Sequence, residues 1–428
     1  MIASEGQNSR GWNTPRRIAI ALTVTILLAR LFAIPPLTDP TGAPLAPQMH
    51  LVTPLLYLIA APVFTLWDGI TMLSMSLLHD LLWGLAVLYF VSRLVVWLAA
   101  WRRSRKVRLL REIPLLAGAL VLFALFLLAG ALWHRPMVSL AGTGPDDMIV
   151  DFHSHTNVSH DVKGTLMSGF DAEANRRWHG RAGFDAAFIT DHNTMAGWQA
   201  IPAARRLTRP LLCPGIELSV QAAHIVLLGD TAEIARAPYS GSLDSLLTLF
   251  GDASTRFGAI AIASIPEYEL HYWGDLDRFV AAGIGGFEVS NAAPKANELS
   301  IVRRDSVIAL ARRSNLPILG VTDTHGWGAT PQAWSLVSVP GWKGSRDPCG
   351  LLLARLRDGG FSAVQVVERP RVRPDDHLPR LLTPLSVIWN AWRSESWPAT
   401  LSWLIWAWAL SLCIERLHKS RPAAPAPR

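Results

Sequence analysis

The stretch DFHSHTNVSHD, residues 151–161, places five metal-binding side chains within eleven positions. It overlaps the end of an apolar run, MIVDFH (148–153), that reads as a strand. His153 and His155 stand two residues apart, so an extended backbone points both to one face. Further apolar runs follow at 184–190, 210–218, 224–229, 259–264, 285–290, 317–323, 334–339 and 363–368. Helical patterns lie between them at 171–182, 242–257, 295–314 and 351–359. This alternation predicts an α/β fold, a largely parallel sheet covered by helices, with enough units for a closed or partly closed barrel. In such barrels the residues at the carboxyl ends of the strands converge on one face.

Those strand ends share a chemistry. The first gives His153 and His155, and ITDHNT ends the second with Asp191 and His192. GIEL gives Glu217, His224 opens the following run, and TDTHG gives Asp323 and His325. All are hard or borderline ligands suited to Zn²⁺, Mn²⁺ or Fe²⁺. A lone histidine is usually an ordinary core or surface residue. Six to eight ligand types at the strand ends of one alternating unit are not explained that way.

The motifs DFHSHT, ITDHNT, GIEL with AHIVLLG, and VTDTHG occur in this order over residues 147–370, about half of the chain. In this the region resembles the PHP (polymerase and histidinol phosphatase) family of metal-dependent phosphoesterases. The resemblance implies a distorted seven-stranded β/α barrel holding two or three divalent ions (Mn, Zn or Fe). The implied ligands are His153, His155, His192, Glu217, His224, Asp323 and His325, with a further one from Ser159-His160-Asp161. Either His160 or Asp161 fills that last role, Asp161 being preferred. Asn291 matches a loop residue that lines such pockets. One departure stands out: where the family has a histidine before a proline, AIASIPEYELHYW carries Ile265, so one ion site is altered unless Glu267, Glu269 or His271 substitutes.

The function implied is hydrolysis of a phosphomonoester or phosphodiester, since such ions lower the pKa of bound water and neutralise charge on phosphate oxygens. Asp191 or His160 would protonate the leaving oxygen, or Asp191 would only orient His192. Lys163, in the ligand-bearing loop, is the candidate cation for substrate phosphate. Arg176 and Arg177 read as solvated helix charges. The alternative is a non-catalytic, metal- or phosphoester-binding sensory domain coupled to membrane helices.

The rest of the chain is apolar. Half of all residues are hydrophobic and only 17% charged. Ile113–Trp133 (21 residues) and Ser396–Ile414 (19 residues) lack charge and are long enough to cross roughly 30 Å of hydrocarbon. Weaker candidates are 18–34, interrupted by Arg30, 51–67, containing Pro54 and Pro62, and 81–100, containing Arg93. The net charge of +7 is not a nucleic-acid groove: residues 1–112 carry eleven Lys/Arg against five Asp/Glu and residues 415–428 four against one, leaving 113–414 at −2. By the positive-inside rule the basic loop at 101–111 and the tail at 415–428 are cytoplasmic. The expected organisation is a membrane region (1–134), a linker (135–146), an extracytoplasmic hydrolase domain (147–370), a second linker (371–395), a final span (396–414) and a basic tail, in a bacterial-type inner membrane. An envelope phosphoester or phosphorylated small molecule is the expected partner besides the bilayer. Outside the cytoplasm, Cys213 and Cys349 have the option of a disulfide.

Overall fold

The computed structural model describes residues 14–102, 112–231, 234–376 and 379–419. Most of the basic loop at 101–111 and the end of the tail lie outside them. Each of the nine apolar runs forms a strand: β1 (Asp147–Ser154), β2 (Ala186–Ile189), β3 (Leu211–Val220), β4 (Ala223–Leu228), β5 (Ile260–Ala263), β6 (Gly286–Asn291), β7 (Ile318–Val321), β8 (Ala333–Ser338) and β9 (Gln365–Glu368). They make one nearly closed, barrel-like sheet in the order β9-β8-β1-β2-β3-β4-β5-β6-β7. The count is thus nine, not the seven that the resemblance implied, because β8 and β9 add an antiparallel pair beside β1.

The free edge of β1 is divided between two partners. Residues 147–150 pair with β8, while His155 N–H donates to the Thr324 carbonyl (3.0 Å) and Asp323 N–H to that of His153 (2.9 Å). This brings the segment after β7 against the end of β1 and nearly closes the ring. Only half of the pairings are parallel, fewer than expected: β3–β4 and β4–β5 are antiparallel as well. The reason is a tight hairpin at Gln221-Ala222, both with positive φ (45° and 56°), a conformation usually marked by Asn or Gly. The strands are buried on both faces, as the unbroken IAIA and ILGV runs require. A disulfide joins Cys213 on β3 to Cys349, at the start of the helix Pro348–Gly359.

Among the described residues, three helices are long and apolar enough to cross a membrane: Met75–Arg102, Glu112–Leu132, and the stretch Trp397–Leu417 of the last helix. We label Thr14–Leu31 α1, Met75–Arg102 α2, Glu112–Leu132 α3 and Trp397–Lys419 α4. α1 lies antiparallel against α4: Arg16 Nε pairs with Glu415 Oε1 (2.7 Å), and Trp408 Nε1 donates to Thr23 Oγ1 (3.1 Å). Arg93 makes a two-pronged pair with Glu112 (2.6 and 2.7 Å) that ties α2 to α3.

The candidate span at 51–67 is not one. It forms a strand, His50–Val52, paired with Ser139–Ala141, and two short helices, Leu55–Ile59 and Ala61–Thr71. Pro54 and Pro62 explain this, since proline is accepted at helix starts and breaks interiors. Its aromatic residues Tyr57, Phe64 and Trp67 are buried inside the protein, while Leu55, Leu56, Ile59 and Val63 are exposed.

Candidate metal centre

The ligand-type residues sit where strands end. β1 delivers His153 and His155 to the ring interior, and the turn after it carries Ser159, His160 and Asp161. His192 follows β2 and bridges to Glu217 on β3, while His224 opens β4 across the Gln221-Ala222 hairpin. Asp323 and His325 follow β7. Asp323 holds φ at +47°, a left-handed conformation that Asp tolerates better than most residues.

The eight expected ligands form one connected cluster. Glu217 Oε2 is buried without a hydrogen-bond partner, yet His153 Nε2 (3.1 Å), His192 Nδ1 (3.2 Å) and His155 Nε2 (3.3 Å) all point at it. The two nitrogens of His153 and His155 lie only 3.1 Å apart, and Asp323 Oδ1 lies 3.1 Å from the latter. Asp161 Oδ2 joins His325 Nε2 (2.6 Å) to His192 Nε2 (3.3 Å), and Glu217 Oε1 reaches His224 Nδ1 (3.2 Å). Three overlapping groups have the proximity needed to hold an ion: His155–Asp161–His192–His325, His153–His155–Glu217, and His192–Glu217–His224. Lone pairs converging on shared points, with an orphaned carboxylate oxygen at the centre, fit divalent cations better than a self-sufficient hydrogen-bond network.

The charges respond to this crowding. Burial alone would lower His153, but Asp323, Glu217 and Glu288 hold it well above its ordinary value. Burial also opposes protonation of His155, yet Asp323 and Glu217 carry it to about 10. Glu217 is held well below the usual range, against its own desolvation, by His153 and His155. Asp161 is likewise depressed despite burial, by His192 and His325.

The neighbouring candidates divide. Of the three substitutes for Ile265, only Glu267 faces the cluster, its Oε1 3.4 Å from His224 Nδ1 and its Oε2 buried without a partner; burial pushes its carboxyl up to about 7. Glu269 is taken by Arg303, and His271 is exposed. His160 is exposed at the rim, its ring 4.8 Å from that of His192, and makes none of the cluster's carboxylate contacts. Asp161 is therefore the member of that pair within the cluster.

Other expected roles are not matched by geometry. Asp191 turns both oxygens to Thr156, accepting from its N–H (2.6 Å) and hydroxyl (2.8 Å), and makes no hydrogen bond to His192. It anchors the loop after β1 instead. Asn291 is buried and donates to Glu288 (2.9 Å) and Asp323 (3.2 Å), which makes it a support for those carboxylates rather than an open pocket wall. Lys163 is exposed and touches no cluster residue. Arg176 is not solvated: it is buried and donates to the carbonyls of Arg205, Thr208 and Pro210.

Two buried carboxylates have roles that the sequence reading did not assign: Glu288, which it did not name, and Asp151, which it counted only as a metal-binding side chain. Glu288 accepts from Ser264 Oγ (2.9 Å) and the Ile265 N–H (3.1 Å), and lies 2.7 Å from His153 Nδ1, so it orients that ring. Asp151 lies 2.8 Å from His179 Nε2 and accepts from Thr322 N–H (3.0 Å), tying β1 to β7. The only signal for Glu288 was a carboxylate inside the apolar run GGFEVS.

No protein-family model and no curated protein matches the chain. Solved structures that part of the chain matches include three proteins. One, from Bifidobacterium adolescentis, has been assigned as a metal-dependent phosphoesterase; identity is 16%, over 42% of this chain and 88% of that one, at a TM-score of 0.33. PsfC from Pseudomonas syringae aligns at 16% identity over 58% and 98%, with a TM-score of 0.34. An amidohydrolase from Chromobacterium violaceum, with bound sulfate and no metal, aligns at 17% over 41% and 87%, with a TM-score of 0.29.

Proposed function

We propose that the chain is a membrane-anchored, metal-dependent phosphoesterase of PHP type that hydrolyses a phosphomonoester or phosphodiester. The observation carrying this reading is Glu217 Oε2, buried, unpartnered and faced by three imidazole nitrogens within 3.3 Å. Divalent ions bound there supply Lewis acidity toward phosphoryl oxygens and an activated water. His153, His155, Glu217 and Asp323 would hold one ion, and Asp161, His192 and His325 a second. His224 and Glu267, with Glu217, would hold a third, Glu267 taking the place that Ile265 leaves open. His160, exposed beside His192, is the group able to pass a proton to the leaving oxygen, and Lys163 on the same loop adds the nearest exposed cation. Glu288 and Asn291 keep the ligands in position.

The purified full chain is expected to hydrolyse p-nitrophenyl phosphate or bis-p-nitrophenyl phosphate with Mn²⁺, Zn²⁺ or Fe²⁺ present and to fall silent after chelation. Two or three ions per chain should be retained by elemental analysis. One ion or none, without turnover of either ester, would instead favour the sensory-domain reading, to which the buried Ile265 still lends support.

Metal uptake should also release protons. At pH 7–8 the metal-free site holds a proton on His155, whose pKa stands at about 10, and ligation requires the neutral ring. Affinity for Mn²⁺ or Zn²⁺ therefore rises with pH up to about 10. Calorimetric titrations in buffers of different ionisation enthalpy should differ in apparent heat; identical heats would contradict this protonation state.

The topology follows from the same charges. If α1, which carries Arg16, Arg17 and Arg30 and is not among the three helices long and apolar enough to span, crosses as well, α1 to α4 alternate and put Arg16, the α2–α3 connection and Glu415 on one side. That side is the cytoplasm by the positive-inside rule, and the barrel faces out. The Cys213–Cys349 disulfide agrees with an oxidising compartment. In cells, a thiol reagent that enters the membrane should label only Cys413 before reduction and all three cysteines after it. Labelling of Cys213 without reduction in unfolded extracts would place the barrel inside the cell.

A further inference from the structure

A largely apolar cavity of about 480 Å³ with several charged residues in its lining lies away from the metal centre. It is bounded by the end of α1, the segment 369–372, the helix Thr383–Ser394 and the first turn of α4, where those membrane helices meet the barrel. Its walls are apolar at Ile34, Met72, Val372 and Val387, and its charged lining residues are Arg30, Arg369, Arg371, Asp68 and Glu395. Only Arg369 has a carboxylate partner, Asp68 at 3.0 Å. Arg30 donates to the carbonyls of Trp392 (3.3 Å) and Arg393 (2.9 Å), its Nε is buried without a partner, and its guanidinium lies 5.1 Å from the Trp397 ring centre.

Arg371 is placed similarly. It donates to the Asn297 carbonyl (3.3 Å), and no carboxylate stands within 4.0 Å of it among the described residues. The nearby Glu368 is already shared by Arg304 (2.8 Å) and Arg373 (3.0 Å). Burial, with Arg373 alongside, pushes the Arg371 guanidinium down to about 9 against the opposing pull of Glu368. Arg30 and Arg371 are half-buried with no carboxylate within 4.0 Å among the described residues, and such incompletely paired positive charge favours an anionic guest. Opposite, Glu395 accepts from Trp403 Nε1 (3.2 Å) through one oxygen, while the other is buried and unpartnered; burial pushes this carboxyl up to about 7.

We propose that this cavity binds the headgroup of one glycerophospholipid, the phosphate on Arg30 and Arg371 and a headgroup hydroxyl or amine on Glu395, with its chains leaving along the apolar wall between α1 and α4. The place suits it: the cavity sits at the ends of two apolar helices beside Trp397, the level where headgroups and interfacial tryptophans lie. Its volume falls in the range of ordinary ligand sites. The site rests on the membrane reading but not on the phosphoesterase reading, and it lies outside the metal cluster.

Native mass spectrometry of the detergent-purified full chain tests this. Dioleoyl-phosphatidylglycerol, dioleoylglycerol and inorganic phosphate are added separately. A single tight phospholipid adduct is expected, weakened about 10-fold in Arg371→Gln, as losing one charge-assisted contact implies. The cavity-filling Ile34→Trp should weaken it as well. An oxidised Cys213–Cys349 pair and unchanged metal content report that each variant is folded. Equal phospholipid binding by wild type and both variants would overturn the site. So would dioleoylglycerol binding as tightly as the phospholipid, or inorganic phosphate binding with no lipid adduct. A chain released from membranes by alkaline carbonate refutes the membrane reading separately, and the same titration on that soluble chain still reads the cavity.

Discussion

Replacing His153 and His155 together by alanine is expected to strip the centre of ions and lower ester hydrolysis by on the order of 10³-fold, the scale of losing one charge stabiliser at a reacting phosphate. Both side chains face the orphaned oxygen of Glu217, so their loss removes two nitrogens from the same ligand set. The fold should survive, because the strand's ladder bonds come from backbone and its Asp151 contacts remain. Elemental analysis and turnover are measured on the same preparation. A milder change sharpens the inference: Glu288→Gln keeps every ligand but weakens the group that orients His153, and should cost about 10- to 100-fold in metal affinity. Unchanged metal content and activity in the double variant would remove the phosphoesterase reading altogether.

The second large effect concerns stability. Asp68 and Arg135 are almost fully buried, with Arg135 NH2 3.4 Å from Asp68 Oδ1 and two further guanidinium nitrogens unpartnered. Asp68 also accepts from Tyr57 (3.0 Å) and Thr330 (3.1 Å) and pairs with Arg369. Asp68→Ala leaves Arg135 charged and enclosed, which costs about 3–5 kcal/mol. For a unit of this size that is a fall in Tm of roughly 10 °C. Asp68→Ala combined with Arg135→Met should recover much of the loss, since it removes the stranded charge. Thermal unfolding in detergent, read against wild type, decides this; an Asp68→Ala melt at the wild-type temperature would contradict the buried-pair account.

The convergence of the ligand-type residues was legible in the sequence because all but His224, which opens a run, and Asp161, in the following loop, stand at or just beyond the end of an apolar run, where β/α topology brings side chains together. Glu288 and Asp151 were not, because they lie inside such runs and look like interruptions of a hydrophobic pattern. Their meaning depends on partners 135 and 28 residues away. The β3–β4 hairpin was read as two separate strands since Gln221-Ala222 lacks the Asn or Gly that usually announces positive φ. Arg176 was misjudged for a related reason. It is satisfied by backbone carbonyls, which every residue has, so no sequence pattern marks a buried arginine of this kind. The false span at 51–67 shows the limit of composition: an apolar stretch packed on protein and one facing lipid look alike until proline positions are weighed.

The short antiparallel ladder between His50–Val52 and Ser139–Ala141, with the bridge between Thr38 and Glu368, changes what can be cut from this protein. Chain between α1 and α2 pairs with the end of β9 and covers the segment leading into β1. A fragment beginning at residue 147 would expose that edge, a ready site for pairing with another chain. It would also leave Arg369 without Asp68. The barrel is therefore not a portable cassette. The helical part and the barrel share one hydrogen-bonded seam, and transplanting or trimming either would have to carry residues 36–74 along.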